Sequence, residues 1–196
     1  MAREAADQGA VSGTLIVADR QTSGKGRLGR IWEDGGLGNC IASLIVRPDI
    51  PATVAPMICL AAAVAIQRNC GPLIGLKWPN DLIGPDGRKV AGILAEMELK
   101  GPLVEYIVVG FGVNVVSAPK DVPTAASLKE YGVTLDSVDF AKACSRDLLA
   151  WCDGLPHNRN DLLSAWRAVD ITLGRRVQIG EVTGVAVDID EDGGLI

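Results

Sequence analysis

The chain has 196 residues, a length that suits one ordinary domain or one domain with a small appendage. Hydrophobic residues make up 48% of the sequence and charged residues 22%, the proportions of a globular protein with a buried core. The formal net charge is −5 and no run of basic residues occurs, which argues against a general electrostatic grip on nucleic acid. No signal peptide is visible and no apolar run approaches the ~18 residues of a membrane span, so we expect a cytoplasmic protein.

The five cysteines show no paired spacing and no C-x-x-C motif. We expect them to be reduced thiols rather than disulfides or metal ligands.

The first half of the chain predicts alternating helices and strands. The predicted elements, in chain order, are a helix over 2–9, strands over 13–19 and 40–46, an alanine-rich buried helix over 53–69, and a strand over 73–78. This last strand must end at Trp78, because Pro79 disfavours helical geometry in the residue before it and favours an extended one.

The second half predicts strands joined by tight turns, followed by helices. The predicted elements are strands on either side of the turn at 85–87, the second over 89–99, a strand over 103–115 after the turn at 100–102, and helices over 137–152 and 158–169. Strands joined by hairpin turns are antiparallel. The sequence therefore predicts an α+β fold, a mixed and largely antiparallel sheet flanked by helices, in a domain over 1–170. Residues 171–196 predict a small β appendage.

A glycine loop, QTSGKGRLGRIW over 21–32, follows the first predicted strand. Its glycines fit the G-x-G-x-x-G pattern of a dinucleotide-binding turn, but that turn requires a helix directly after it. The following segment, RIWEDGGLGN, contains three more glycines and no apolar helical face. Lys25, Arg27 and Arg30 favour a different ligand, a phosphate or carboxylate held by charged side chains and backbone N–H groups. The alternative is a solvated surface turn.

A second motif, LKWPND over 76–81, is more specific. Lys77 lies near the end of a predicted strand, so its charge reaches the edge of the sheet. Trp78 and Pro79 force an abrupt turn that presents the two polar residues after them. Downstream, Lys89 begins the next strand, Gly92 lets a ligand lie against that strand, and Asn114 closes a third strand.

Together, G-K-G-R-L-G-R, K-W-P-N-D and R-K-V-A-G-I-L resemble the catalytic domain of biotin protein ligases, over about residues 10–130. Residues 171–196 resemble the early part of that family's SH3-like C-terminal domain. The resemblance implies a class II synthetase-like fold and a reaction with ATP, biotin and Mg²⁺. Biotin would be activated as biotinyl-AMP and transferred to a lysine of a biotin carboxyl carrier domain. Lipoate ligases share the general fold, but the combination of motifs points to biotin.

The resemblance implies catalytic roles for Lys89 and Arg27, which would stabilise charge on the biotin carboxylate and the α-phosphate. The residues implied in biotin binding are Gln21, Gly24, Lys25, Gly26, Arg27, Lys89, Gly92 and Ile93. The residues implied in ATP binding are Lys25, Arg27, Arg30, Trp32, Lys77, Asn80, Asp81, Lys89 and Asn114. Asp81 is open to two interpretations, contact with Mg²⁺ through water or a structural cap of its turn. Trp32 is likewise open to a role in core packing, and no set of protein metal ligands is expected.

The sequence departs from the family pattern at its start. Family members usually carry Ser-Thr-Asn before the first helix, and this chain begins about where that motif should end. We expect a catalytic core truncated at both ends, and a non-catalytic homologue that binds biotin or ATP is the alternative. No helix-turn-helix occurs in the sequence, so DNA binding is not expected, and homodimerisation is left open.

Overall fold

The computed structural model describes all 196 residues. The helices are α1 (Ala2–Asp7), α2 (Pro56–Cys70), α3 (Ser137–Gly154) and α4 (Arg159–Arg167). The strands are β1 (Leu15–Ala18), β2 (Cys40–Val46), β3 (Gly75–Lys77), β4 (Asp81–Ile83), β5 (Lys89–Lys100), β6 (Leu103–Val113), β7 (Arg176–Ile179) and β8 (Val182–Val185).

Strands β1 to β6 form one sheet in the order β1-β2-β6-β5-β4-β3, and β7 and β8 form a separate hairpin. Every pair of neighbouring strands is antiparallel, as the tight turns between β3, β4, β5 and β6 require. The predicted α+β class and antiparallel sheet are confirmed. The parallel component of the expected mixed sheet is limited to two isolated bridges, Leu76 with Asp170 and Lys89 with Ala125.

Helix α2 lies in the core, where it packs against β3, β4 and β5 and against helices α3 and α4, while α3 also packs directly on β1 and β2. Residues 61–67 of this helix are all buried, and the small alanines allow close approach of its neighbours. The buried Gln67 is satisfied, because its amide donates to the carbonyl of Ile74 at 2.9 Å. Residues 52–70 are long and apolar enough to cross a membrane, but 72% of this stretch is buried inside the fold, as expected of a core helix.

The two faces of the sheet differ sharply. Side chains alternate along a strand, so Ile93 on β5 and Phe111 on β6 join the core under α2. On the opposite face β6 presents Gly110 and Gly112, and Gly92 lies beside Gly112 in the register of β5 and β6. This face carries almost no side-chain bulk over three positions, and that bare area becomes the floor of a cavity.

The other end of the open face is covered by α1. Arg47, which follows β2, holds this helix by donating to the carbonyls of Ala6 at 2.6 Å and Ala10 at 2.9 Å. Its guanidinium also lies 5.4 Å from the centroid of the Tyr106 ring, and the Tyr106 hydroxyl donates to Asp7. One arginine therefore ties the short N-terminal helix, which would be marginal alone, to the sheet.

All five cysteine thiols are unpaired, as expected. Burial raises the thiol pKa of each; it reaches about 12 for Cys40 and Cys152 and about 11 for Cys59. These thiols are therefore protonated at neutral pH and serve as packing groups.

We predict that Arg47→Ala lowers the free energy of unfolding by about 2 kcal/mol, because several charge-assisted hydrogen bonds to buried carbonyls are lost. Amide exchange should accelerate selectively in Ala2–Asp7. Arg68→Ala is the control, since Arg68 is exposed and its guanidinium lies 5.1 Å from the centroid of the Trp151 ring. Its loss should cost about 0.5–1 kcal/mol. Equal effects of the two substitutions in denaturant unfolding would contradict the anchoring role of Arg47.

Candidate active site

A cavity of about 820 Å³ lies on the open face of the sheet. Its floor is formed by β2, β5 and β6, where Ser43, Gly92, Gly110 and Gly112 face inward. Its walls include the glycine loop, 21–32, the KWPND turn and residues 176–180 of β7 and the turn after it. This volume is within the range of small-molecule and cofactor sites.

The glycine loop is a small hairpin rather than the start of a helix. Lys25 pairs with Ile31, the Gly26 N–H donates to the carbonyl of Arg30 at 2.8 Å, and the Trp32 N–H donates to Gly24 at 3.1 Å. Apart from short 3-10 turns at 27–29 and 52–54, no helix follows until α2, so the helix that a dinucleotide-binding turn requires is absent.

The tip of this hairpin is exposed and strained. Leu28 has a positive φ of 57° and is 89% exposed, an unusual state for a bulky apolar residue. Lys25, Arg27 and Arg30 are also exposed, and none of the three forms an ion pair within the chain. Three neighbouring unpaired cations on an exposed hairpin favour an anion as the ligand of this loop.

The two sequence motifs meet at Asn80. Its amide nitrogen donates to the carbonyl of Ile93 at 2.6 Å, which fixes the KWPND turn against β5. Its amide oxygen lies 3.5 Å from the Arg27 guanidinium, at the outer limit of a hydrogen bond. Residues 53 positions apart in the chain thus border one cavity.

Lys89 projects into the same cavity from the start of β5. Its amine lies 2.6 Å from the Asp81 carboxylate and 5.5 Å from the centroid of the Trp32 ring. The Lys89 backbone is fixed on both sides, by donation to the carbonyl of Thr124 at 2.8 Å and by acceptance from the Ala126 N–H at 2.9 Å. The Lys89 amine is therefore held in place. Both it and its carboxylate partner are partly exposed, so an anion can approach the amine.

The turn before Lys89 is locked by a surface network. Arg88 forms ion pairs of 2.8 Å with both Asp86 and Glu130, and the Tyr131 hydroxyl donates to Asp86. The Tyr131 hydrogen bond, more than the Arg88 N–H, lowers the pKa of Asp86 to about 2. Burial and then the Asp86 carboxylate raise the pKa of Tyr131 to about 12. Neither group changes charge near neutral pH, so the network holds Lys89 over a wide pH range.

Trp32 lies flat on the glycines of the floor. A Cβ atom at Gly112 would come within 2.5 Å of the indole, and one at Gly92 would lie 3.1 Å from the indole and 3.2 Å from the Lys89 amine. Any side chain at Gly112 would therefore displace the ring. Neither residue has a positive φ, so close approach favours glycine here; a side chain at Gly112 requires the indole to shift, and one at Gly92 requires a smaller adjustment.

Most residues predicted from the sequence line the cavity. Those that do are Gln21, Lys25, Gly26, Arg27, Arg30, Trp32, Lys77, Asn80, Asp81, Lys89, Gly92 and Ile93. Gly24 does not: it is buried and closes the base of the loop hairpin. Asn114 does not either, being 2% exposed with its amide donating to the carbonyl of Ala126 at 3.1 Å. The binding roles expected of these two residues stay predictions, and the structure gives them supporting positions.

Several cavity residues were not singled out from the sequence. Gly110 and Gly112 had a usable signal, because glycines two residues apart in a strand leave one face bare. Ser43 and Glu96 had no such sequence signal, since strand register determines on which face of the sheet their side chains lie. Thr172, Arg176 and Gln178 come from the C-terminal segment, which no local pattern connects to the sheet.

The charge of the cavity is opposite to that of the whole chain. Six cationic side chains line it, Lys25, Arg27, Arg30, Lys77, Lys89 and Arg176, against two carboxylates, Asp81 and Glu96. The chain as a whole carries a net charge of −5. A positive, concave site on an acidic protein is suited to concentrating and holding a multiply charged anion.

The α+β sheet, its glycine floor and its cationic lining suit the binding of a phosphorylated or carboxylated small molecule. The chain belongs to the biotin/lipoate A/B protein ligase family, whose sequence model matches residues 5–114. That match includes the glycine loop, the KWPND turn and Lys89.

Named relatives agree with this assignment. The biotin--[acetyl-CoA-carboxylase] ligase of Mycobacterium tuberculosis H37Rv is 36% identical over 200 residues, which cover 94% of this chain and 73% of the relative. The bifunctional ligase/repressor BirA of Bacillus subtilis strain 168 is 34% identical over 212 residues, covering 100% of this chain. The chain spans 64% of the length of that relative. The structure of the biotin protein ligase from Aquifex aeolicus in complex with biotin and ATP superposes with a TM-score of 0.71 at 27% identity, covering 98% of this chain and 85% of that one.

We predict that Gly112→Ala displaces the Trp32 indole from the floor and lowers the free energy of unfolding by about 1–3 kcal/mol through overpacking. Gly110→Ala is the matched control, because the nearest atom to a Cβ there is the Leu94 carbonyl oxygen at 3.6 Å. The measurement is the chemical shift of the Trp32 indole N–H together with thermal unfolding. An unchanged indole resonance in Gly112→Ala would contradict the packing described here.

Proposed function

We propose that this protein is an ATP-dependent biotin protein ligase, which activates biotin as biotinyl-AMP and transfers the biotinyl group to a lysine of a biotin carboxyl carrier domain. The observation that carries the proposal is the presence of Lys89 and Arg27 at one cavity whose lining is rich in cations. Membership of the family and the names of the similar ligases support the same conclusion.

In the first step, a carboxylate oxygen of biotin attacks the α-phosphorus of ATP, and the bond to the β-phosphate oxygen breaks to release pyrophosphate. The protein's task is to bring two anions together and to stabilise the charge that develops on phosphate. Lys89 and Arg27 would neutralise the carboxylate and the α-phosphate, and the remaining cations would hold the rest of the nucleotide. Asp81, now paired with Lys89 at 2.6 Å, orients that amine before the substrates arrive.

In the second step, the amine of the acceptor lysine attacks the carbonyl carbon of the mixed anhydride, AMP departs, and the amine nitrogen loses a proton to form the amide. Neither step requires a nucleophile from the protein. The single histidine, His157, is exposed and lies outside the cavity, in agreement with such a mechanism.

Magnesium would enter with the nucleotide. No group of three or more His, Cys, Asp or Glu side chains in the chain could hold a metal ion. Mg²⁺ commonly uses one or two carboxylates with substrate phosphates and water, and Asp81 is a cavity carboxylate of that kind. When bound, the ion would neutralise charge on the phosphates, while the residues described above bind and orient.

The proposed acceptor is the carrier domain of a biotin-dependent carboxylase, which the names of the Mycobacterium tuberculosis and Paracoccus denitrificans relatives support. The family name includes lipoate as well as biotin, so substrate choice must be tested directly. Repression, which the BirA names include, is not part of the proposal for these 196 residues.

We predict biotin-dependent exchange of labelled pyrophosphate into ATP by the parent protein, and loss of at least a hundredfold in Lys89→Ala. A hundredfold loss corresponds to about 2.7 kcal/mol of barrier. Lys120→Ala, which removes an exposed lysine outside the cavity, should exchange at the parent rate.

The same assay separates the alternatives. Exchange that starts with lipoate or octanoate but not with biotin would assign a lipoate-type substrate. ATP and biotin binding without exchange would assign the non-catalytic homologue instead. Parent activity retained in Lys89→Ala would remove the proposed role of that lysine.

We also predict that the glycine loop becomes protected when both substrates bind. Trypsin should cut the free protein after Lys25, Arg27 or Arg30, since all three residues are exposed on the hairpin. Biotin and ATP together should slow this cleavage by about tenfold, because a loop that is closed over the substrates must reopen before the protease can reach it. Cleavage after Arg146, on α3, serves as the internal control, and equal protection at both places would argue against closure of this loop.

A further inference from the structure

The C-terminal segment is fastened to the KWPND turn. The backbone N–H of Trp78 donates to the Thr172 hydroxyl at 2.8 Å, and its indole N–H donates to the carbonyl of Gly193 at 3.0 Å. Thr172 is only 5% exposed, so this hydroxyl is committed to the contact. Strand β3 adds two backbone bonds of 2.8 Å, from Leu76 to Val169 and from Ile171 to Leu76.

These bonds place the start of β7 beside the cavity. Arg176 is the first residue of β7, and both it and Gln178 line the same cavity as the glycine loop. Lys77 immediately precedes Trp78, so Lys77 and the anchored segment lie on the same side of the site. Arg176 forms no ion pair within the chain.

The neighbouring arginine behaves differently. Arg175 lines a separate cavity of about 380 Å³, together with residues of β3, β4 and the segment at 168–171. Two adjacent arginines thus border different cavities, and only Arg176 shares its cavity with Lys89 and Arg27.

We propose that Arg176 binds the β- and γ-phosphates of the nucleotide, with Lys77, while the glycine loop holds the α-phosphate and the biotin carboxylate. This inference rests on the proposed function for the identity of the nucleotide. A guanidinium suits the task because its fork of N–H donors matches two phosphate oxygens at once. The leaving pyrophosphate would then be held by cations separate from those that hold the new anhydride.

The test compares ATP and AMP binding by isothermal titration calorimetry, with Mg²⁺ present, for the full chain and its variants. Because Arg176 is exposed, we expect a moderate effect: Arg176→Gln should weaken ATP binding about tenfold and change AMP binding by less than about twofold. Arg175→Gln, the matched control, should leave both affinities unchanged. Arg176→Lys keeps the charge without the fork and should weaken ATP binding about threefold, which preserves the test if Arg176→Gln does not fold.

Each other outcome overturns the inference. ATP affinity unchanged in both Arg176 variants would remove the contact. Equal weakening by Arg175→Gln would assign the effect to the general charge of the hairpin, and equal weakening of AMP and ATP would place Arg176 away from the β- and γ-phosphates. None of these binding measurements needs turnover. A failure of the proposed ligase activity would instead appear as absent pyrophosphate exchange in a parent protein that still binds ATP, so the two failures can be distinguished.

Discussion

The site depends on the close approach of Trp32 and Lys89 to a sheet that has no side chains where they lie. Gly92 and Gly112 face each other across β5 and β6, and a methyl group at the second would come within 2.5 Å of the indole. The opposite face of the same strands is fully packed under α2, so the sheet itself cannot yield. The bare strip therefore determines how deep the cavity is and where the lysine amine is held above its floor.

Electrostatics then decides what can occupy that space. Like charges this close repel in a partly dehydrated cleft, and the protein offsets only part of the repulsion, through the pair between Lys89 and Asp81. The cations of the glycine loop are kept on an exposed hairpin, where water screens them until an anion enters. The charges are thus distributed between a fixed floor and an exposed loop, and a bound anion would relieve the repulsion between them.

Local patterns predicted much of this architecture. β2 was predicted with its observed limits, 40–46, since a continuous apolar run ending in Arg-Pro leaves little freedom. The turns before β5 and β6 predicted the antiparallel order, and the motif residues named from the sequence lie mostly at one cavity. Gly24 and Asn114 lie outside the cavity lining: the Gly24 carbonyl accepts from the Trp32 N–H, and the buried Asn114 amide donates to the Ala126 carbonyl, contacts that no local pattern indicates.

The sequence did not predict that residues far along the chain, in the C-terminal segment, would line the cavity. A two-stranded hairpin such as β7 and β8, with most of its side chains exposed, is marginal alone. The chain on either side of it is held by Trp78, the second residue of the KWPND motif, whose two N–H groups donate to Thr172 and Gly193. These hydrogen bonds therefore connect residues on the two sides of the boundary predicted at 170/171. The tryptophan of the motif thus joins the sheet to the C-terminal segment, and residues of that segment border the same cavity as the glycine loop.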